Sequence, residues 1–196
     1  MSNVSLGKNA FLNMLKQACS IIFPFVSFIY CSRVLGAQQL GIYSFGQSII
    51  SYLLLVSNLG IPNYSIREGA IIRSQKGKLR VFINELFTIN CLSMMISYGL
   101  LILGMILVPN SNVYKFIILI QSLQIILVTL GTDWINLIFE DYYYLTVRYI
   151  IIQIMCLLGL ICFVKTPNDI YIYTFISVMA NAGGNILNFF YLRKKD

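Results

Sequence analysis

The side chains that carry chemistry in this sequence are few, and they favour binding over catalysis. The chain has seven acidic residues and no histidine. An enzyme acting on lipid phosphates usually needs clustered carboxylates for a metal ion, or a base such as histidine. The sequence contains neither pattern, and it has no glycine-rich loop of the nucleotide-binding type. We therefore predict a protein that is not an enzyme and that uses no metal and no cofactor.

Polar residues recur at helical spacing inside the apolar segments. Steps of three and four residues place such side chains on one face of a helix. These stripes have two interpretations: they join neighbouring helices, or they line a polar cavity that admits water or a polar substrate. Several stripes in one bundle favour the cavity. The stripes are Asn13, Gln17, Ser20, Pro24, Ser27 and Cys31; Asn84, Thr88, Cys91, Met95 and Tyr98; and Thr174, Ser177, Asn181, Asn185 and Asn188.

Arg33 interrupts the apolar sequence within the stretch SRVLGAQQLGIYSFGQSI, residues 32–49. One interpretation is that its side chain reaches the membrane interface and anchors the first helix. The other is that its guanidinium contacts an anion at the mouth of a cavity, since this group binds phosphate in a bidentate way. Both interpretations remain open from the residues alone.

The composition identifies the solvent of this protein as lipid. Hydrophobic residues make up 58% of the 196 residues and charged residues only 11%, against about 25% charged residues in soluble domains. The net charge of +7 comes from basic residues in short loops, where they set membrane orientation rather than bind nucleic acid. We predict an all-α membrane protein.

Six segments are long enough to cross a bilayer as helices of about 20 residues. The connections between them are rich in glycine, proline and short polar turns. We expect Gly36 and Gly41 to break the first connection, Gly60 and Pro62 the second, and Asp133 with Trp134 to close the fourth helix. The predicted spans are 11–32, 41–61, 81–108, 114–130, 149–164 and 170–192, which form one six-helix lobe over residues 1–196.

The distribution of basic residues predicts an orientation. With both termini in the cytoplasm, eleven of the 14 lysines and arginines lie inside. The three on the outside are Arg33, Lys115 and Lys165. The reverse orientation would violate the positive-inside rule. We therefore expect both termini to be cytoplasmic.

Four patches of the sequence resemble bacterial flippases of lipid-linked oligosaccharides, which export O-antigen and capsule repeat units. The first patch is the stretch around Arg33, and the second is NLGIPNYSIREGA at residues 58–70. The others are GTDWINLIFEDYYYLTVR at 131–148 and NAGGNILNFFYLRK at 181–194. These proteins belong to the multidrug/oligosaccharidyl-lipid/polysaccharide exporter superfamily.

The resemblance implies a two-lobed transporter that works by alternating access without ATP hydrolysis. Two six-helix lobes would surround a cationic cavity, and the substrate would be an undecaprenyl-pyrophosphate-linked oligosaccharide in the cytoplasmic membrane of a bacterium. Family members have about twice as many residues, so the chain is expected to be an N-terminal lobe that needs a C-terminal lobe or a second copy. Arginines near the first patch in related lipid II flippases imply a pyrophosphate contact for Arg33, and by extension for Arg67.

The candidate residues follow from the stripes, the turns and the resemblance. The predicted substrate contacts are Arg33, Arg67, Gln17, Gln47, Asn58, Asn181 and Asn185, and the predicted structural or gating positions are Gly36, Gly41, Gly60, Pro24, Pro62, Asp133 and Trp134. Two other functions stay open. One is a small-molecule or drug exporter of the same superfamily, which would more often carry a carboxylate deep in this lobe. The other is a membrane subunit or gene remnant that does not transport.

Overall fold

The computed structural model describes residues 6–107 and 112–195. The described residues form helices and short turns. The helices are α1 (Leu6–Asn58), α2 (Ile61–Ile72), α3 (Lys76–Leu107), α4 (Asn112–Gly131), α5 (Asp133–Ile138), α6 (Tyr142–Phe163), α7 (Ile170–Val178) and α8 (Gly184–Lys195). A 3-10 turn, Pro167–Asp169, precedes α7, and a π-helical turn, Met179–Gly183, joins α7 to α8.

Five helical stretches in the described part of the chain are long and apolar enough to cross a membrane. This agrees with the predicted all-α membrane class, but six separate helices were expected. The first stretch, Ala10–Ile72, is 63 residues long, or roughly 95 Å as a straight helix, which is about three times the thickness of the hydrocarbon core. It contains both of the first two predicted spans.

The chain nevertheless changes direction within α1, at Gly36. This residue has φ 75° and ψ 169°, while helical geometry continues on both sides of it. The first half of α1 runs parallel to α6, because Thr146 donates to the Leu12 carbonyl at 3.2 Å and Tyr30 to the Val164 carbonyl at 2.9 Å. The second half runs parallel to α4, because Gln121 donates to the Tyr43 carbonyl at 3.1 Å and the Ser57 and Thr129 hydroxyls are 3.2 Å apart.

The relation between α4 and α6 then fixes the relation between the two halves. Helix α6 is antiparallel to α7, since Gln153 lies opposite Ala180 and Gly159 opposite Ile176. Helices α7 and α8 run parallel to α4, with Phe116 against Tyr171 at one end and Gly131 bonded to Asn188 at the other. Helices α4 and α6 are therefore antiparallel, and so are the two halves of α1.

Several predicted boundaries need correction. Gly41 lies inside α1 and breaks nothing, because its backbone is helical. Gly60 and Pro62 do separate two helices, but α2 begins directly after Gly60. A helix therefore stands where the prediction had a connection between the second and third spans. The short helix α5 was not predicted, and α6 begins seven residues before the expected Tyr149 because Asp141 caps its N-terminus. The end of the third predicted span at Val108 and most of the turn at 109–112 lie outside the described residues.

Buried apolar side chains form three clusters along the bundle. One lies at the end of the bundle near Gly36 and contains Cys31, Leu35, Leu40, Ile117, Leu160, Val164, Ile170 and Tyr173. The second joins the second half of α1 to α3 and α4 through Ile50, Leu53, Leu101, Ile118 and Ile125. The third lies at the opposite end and contains Ile61, Leu79, Leu86, Trp134 and Ile138. Large apolar side chains also cover the outer surface, as expected of a bundle whose solvent is lipid.

We predict that Gly36→Ala destabilises the bundle and that Gly41→Ala does not. The backbone angles of Gly36 are accessible almost only to glycine, so a side chain there costs about 1–3 kcal/mol. A Cβ at Gly41 meets nothing within 4 Å, and alanine in a helix is favoured over glycine by about 1 kcal/mol.

Denaturant unfolding of both variants in mixed micelles measures the difference. Equal stability of the two variants would show that the reversal at residue 36 does not require glycine.

Candidate functional site

Two adjoining cavities lie between the first half of α1, helix α6 and the turn from α7 to α8. The smaller has a volume of about 50 Å³ and the larger about 270 Å³. They share Ala180 and Asn181. The smaller is lined by Lys16, Asp133, Arg148, Tyr149, Ile152, Ala180, Asn181, Gly184 and Asn185. The larger is lined by Pro24, Ser27, Phe28, Tyr43, Gln153, Cys156, Leu157, Leu160, Tyr173, Ser177, Ala180 and Asn181.

An ion pair forms one wall of the smaller cavity. Arg148 of α6 binds both carboxylate oxygens of Asp133 through Nη2, at 2.7 and 2.6 Å. The Arg148 side chain is only 7% exposed and that of Asp133 36%. Charge-assisted bonds of this kind are roughly twice as strong as neutral ones. The pair fixes the break between α4 and α5 against α6.

The surroundings of Arg148 hold its guanidinium in place and leave part of it unpaired. The guanidinium carbon lies 5.5 Å from the centre of the Tyr144 ring, within the range of a cation–π interaction. A Cβ on Gly184 would come within 3.2 Å of Nε, so the absence of a side chain there lets Arg148 pass close to the backbone. Nε and Nη1 are buried and have no hydrogen-bond partner among the described residues.

Lys16 brings a second cation to the same cavity from α1. Its ammonium lies 6.0 Å from the centre of the Tyr149 ring on α6. It is attracted by Asp133 and repelled by Arg148. Three charged side chains from three different elements therefore meet in one partly buried cleft.

The π-helical turn supplies the shared wall of both cavities. Its wider backbone interrupts the last predicted span at Met179–Gly183, and turns of this kind occur often at functional sites. Gln153 of α6 donates to the Ala180 carbonyl at 3.0 Å and so ties the turn to α6. Asn181 is exposed at the surface that both cavities share.

The larger cavity combines aromatic and polar walls. Tyr43 of α1 and Tyr173 of α7 meet edge to face, with ring centres 4.7 Å apart. The Ser177 hydroxyl lines the same cavity. An amide, hydroxyls and aromatic rings on one wall suit a ligand that is partly polar.

The polar stripe from Thr174 to Asn188 both lines the cavities and joins neighbouring helices. Ser177, Asn181 and Asn185 line the cavities. Thr174 and Asn188 are fully buried and serve packing: Asn188 donates to the Gly131 carbonyl and accepts from Asn136 at 2.5 Å. One helical face therefore joins helices at some positions and lines a cavity at others.

The predicted substrate contacts are only partly brought together. Asn181 and Asn185 line the smaller cavity. Gln17 is exposed and lines neither cavity. Gln47 exchanges hydrogen bonds of 3.1 and 3.4 Å with Gln124 of α4, and Asn58 is the last residue of α1.

The two predicted arginines lie away from both cavities. Arg33 is exposed, three residues before the reversal at Gly36. Arg67 is exposed on α2 and pairs with Glu68 at 3.0 Å. Neither arginine is among the residues that line the two cavities described above.

The predicted structural positions occupy several different settings. Asp133 and Pro24 line cavities, whereas Trp134 is buried in the apolar cluster of α2, α3 and α5. Gly60, with φ 73°, precedes α2, and Pro62 stands in its first turn.

Sequence reasoning missed Lys16 and Arg148 as site residues. Lys16 precedes Ser20 and Pro24 by one and two helical turns, so the spacing of the first stripe already indicated its face. Arg148 was assigned only to membrane orientation. Its partner Asp133 is 15 residues away, on the other side of a helix break, and no local sequence pattern predicts that the two residues pair.

A family model matches almost the whole described chain. It is the model of the polysaccharide biosynthesis protein family, and it covers residues 6–195. The chain belongs to this family. No curated protein and no solved structure matches it. The apolar helices make this polysaccharide biosynthesis family protein a multi-pass membrane protein in contact with the lipid bilayer.

We predict that Asp133→Asn lowers the free energy of unfolding of this family member by about 2–3 kcal/mol. The substitution keeps the shape of the side chain but leaves the buried Arg148 without its counter-charge, and removing one partner of a buried pair is strongly destabilising.

Glu68→Gln is the matched control. It removes one partner of the exposed Arg67–Glu68 pair, and such pairs contribute less than about 1 kcal/mol. Denaturant unfolding in mixed micelles compares the variants, and equal losses would show that the Asp133–Arg148 pair does not stabilise the bundle.

Proposed function

We propose that this chain forms one lobe of a flippase that moves undecaprenyl-pyrophosphate-linked oligosaccharides across the bacterial cytoplasmic membrane. The family match over residues 6–195 is the observation that carries the proposal. A charged and amide-lined cleft inside an apolar helical bundle supports transport of a polar, anionic substrate. Alternating access driven by a gradient would do the work, and the protein would act as a transporter rather than an enzyme.

The proposed lobe crosses the membrane six times. The antiparallel halves of α1 support two crossings before α2. The other crossings are α3, α4 with α5, α6, and α7 with α8. Gly36 and the turn at Lys165–Asp169 then share one end, which we assign to the outside because of the positive-inside rule. Arg73, which bonds to Glu140 at 2.9 Å, marks the opposite and cytoplasmic end.

A second six-helix unit completes the proposed transporter. Asn13, Gln17 and Asn84 are polar residues on the outer surface of the described bundle. Lipid offers them no hydrogen bonds, and an unsatisfied polar group in hydrocarbon costs up to several kcal/mol. We infer that a C-terminal lobe or a second copy covers these surfaces and closes a central cavity.

Arg33 remains the first proposed contact of the pyrophosphate, with Arg67 as the second. The exposure of Arg33 beside the reversal leaves its guanidinium accessible from the outer end of the bundle. Gln17 and Asn58 would face the same central cavity between the two units. Gln47 would contact the substrate only after its hydrogen bonds to Gln124 are broken.

The decisive test is complementation of a strain that lacks its repeat-unit flippase. We expect surface polysaccharide when the chain is present in the membrane together with a second six-helix unit, because one lobe alone does not enclose the proposed central cavity. Polysaccharide on the cell surface and protein in the membrane are both measured. Restoration by a chain that crosslinking shows to be a monomer would contradict the two-unit proposal.

We also predict that Arg33→Lys impairs export in the complemented strain. Lysine keeps the charge but cannot form the bidentate contact with phosphate. Arg80→Lys changes an exposed arginine at the proposed cytoplasmic end, so it is the control and should leave export unchanged. Wild-type polysaccharide levels in the Arg33→Lys strain, at equal protein amounts, would exclude Arg33 as a phosphate contact.

A small-molecule exporter is the second candidate function. Asp133 favours it, because this carboxylate lies within the candidate span Asn112–Ile138 and lines a cavity. Efflux of cationic dyes from cells that express the assembled transporter, without restored polysaccharide, would support this alternative. If the protein is properly inserted and the strain shows neither dye efflux nor surface polysaccharide, the chain is a membrane subunit that does not transport.

A further inference from the structure

The smaller cavity contains an unbalanced positive charge. Lys16 and Arg148 are both cations, and Asp133 is the one acidic residue among the residues that line it, so the lining carries a net charge of +1. Asp133 is already engaged by Arg148 through both of its oxygens. A cation that is partly removed from water and lacks a counter-charge is unfavourable. A further negative charge at this place would therefore be strongly favoured.

Hydrogen-bond donors in the same cavity also lack acceptors. Arg148 is 8% exposed, and its Nε and Nη1 groups have no partner among the described residues. Asn181 and Asn185 add side-chain amides, and Lys16 adds an ammonium. Arginine and lysine can only donate, so the unpaired groups of these two side chains require an acceptor.

We propose that the smaller cavity binds one small monovalent anion of the size of chloride. The volume of about 50 Å³ compares with the about 10 to 15 Å³ that one water molecule needs, so the cavity has room for a single ion with a few waters. Water alone would satisfy the donors but would leave the charge unbalanced. The ion would bridge Lys16 on α1 to Arg148 on α6, and would stabilise the packing of these two helices.

The proposal is independent of the transported substrate, because binding is measured on the purified chain. Thermal unfolding in nanodiscs is followed while chloride replaces gluconate at constant ionic strength. A ligand that binds the folded state raises Tm, here by roughly 3 to 6 °C when chloride reaches about ten times its Kd. Constant ionic strength keeps the screening of surface charges equal. Line broadening of the chloride NMR signal reports binding directly.

Variants of Lys16 test whether chloride binds in the smaller cavity. Lys16→Gln makes the lining neutral without touching the Asp133–Arg148 pair, and should abolish both the rise in Tm and the line broadening. Lys16→Arg keeps the charge and should retain both. Lys165→Gln removes an exposed lysine far from the cavity and serves as the matched control.

Two results would overturn the proposal. One is an equal Tm in chloride and gluconate for the wild-type chain, without line broadening, which would mean that water alone occupies the cavity. The other is a chloride effect of the same size in Lys16→Gln as in the wild type, which would place the ion elsewhere.

Discussion

The polar groups of this bundle must find their partners inside the protein, because lipid supplies no hydrogen bonds. The strongest example is the ion pair of Arg148 and Asp133, in which Nη2 contacts both carboxylate oxygens and joins α6 to the break between α4 and α5. Asn136 and Asn188 form a second link, between α5 and α8. Without these bonds the same side chains would be buried and unpaired, which is among the most destabilising states of a protein. The pairing requirement therefore sets which helices lie together.

Glycine makes two other close approaches between helices possible. Gly46 leaves room for Gln121, whose side-chain oxygen would lie 2.3 Å from a Cβ at that position. Gly131 does the same for Asn185, whose Cγ would also lie 2.3 Å away. In both cases the smallest residue lets an amide side chain approach a neighbouring backbone. Gly36 has a different role, because its positive φ, rather than the available space, reverses the chain.

Two irregularities of the backbone create the cleft. The reversal at Gly36 folds the first half of α1 against α6, which brings Lys16 to the cavity. The π-helical turn at Met179–Gly183 places Asn181 between the two cavities. Helices of regular geometry along both segments would give a more uniform packing surface. The cleft depends on departures from regular helical structure, and membrane proteins tolerate these where the irregular backbone is buried or lines a cavity.

The sequence by itself determined the class of this protein. Apolar length and low charge dictated membrane helices, and the glycine and proline at positions 60 and 62 indicated the break before α2 because such signals are local. The spacing of Asn181 and Asn185 likewise indicated their common face. The sequence could not show that Gly41 stays helical while Gly36 reverses the chain, since both are glycines between apolar segments. Only the tertiary structure decided that Lys16, Asp133 and Arg148 meet, because a contact between charges on different helices depends on how those helices pack and not on any local pattern.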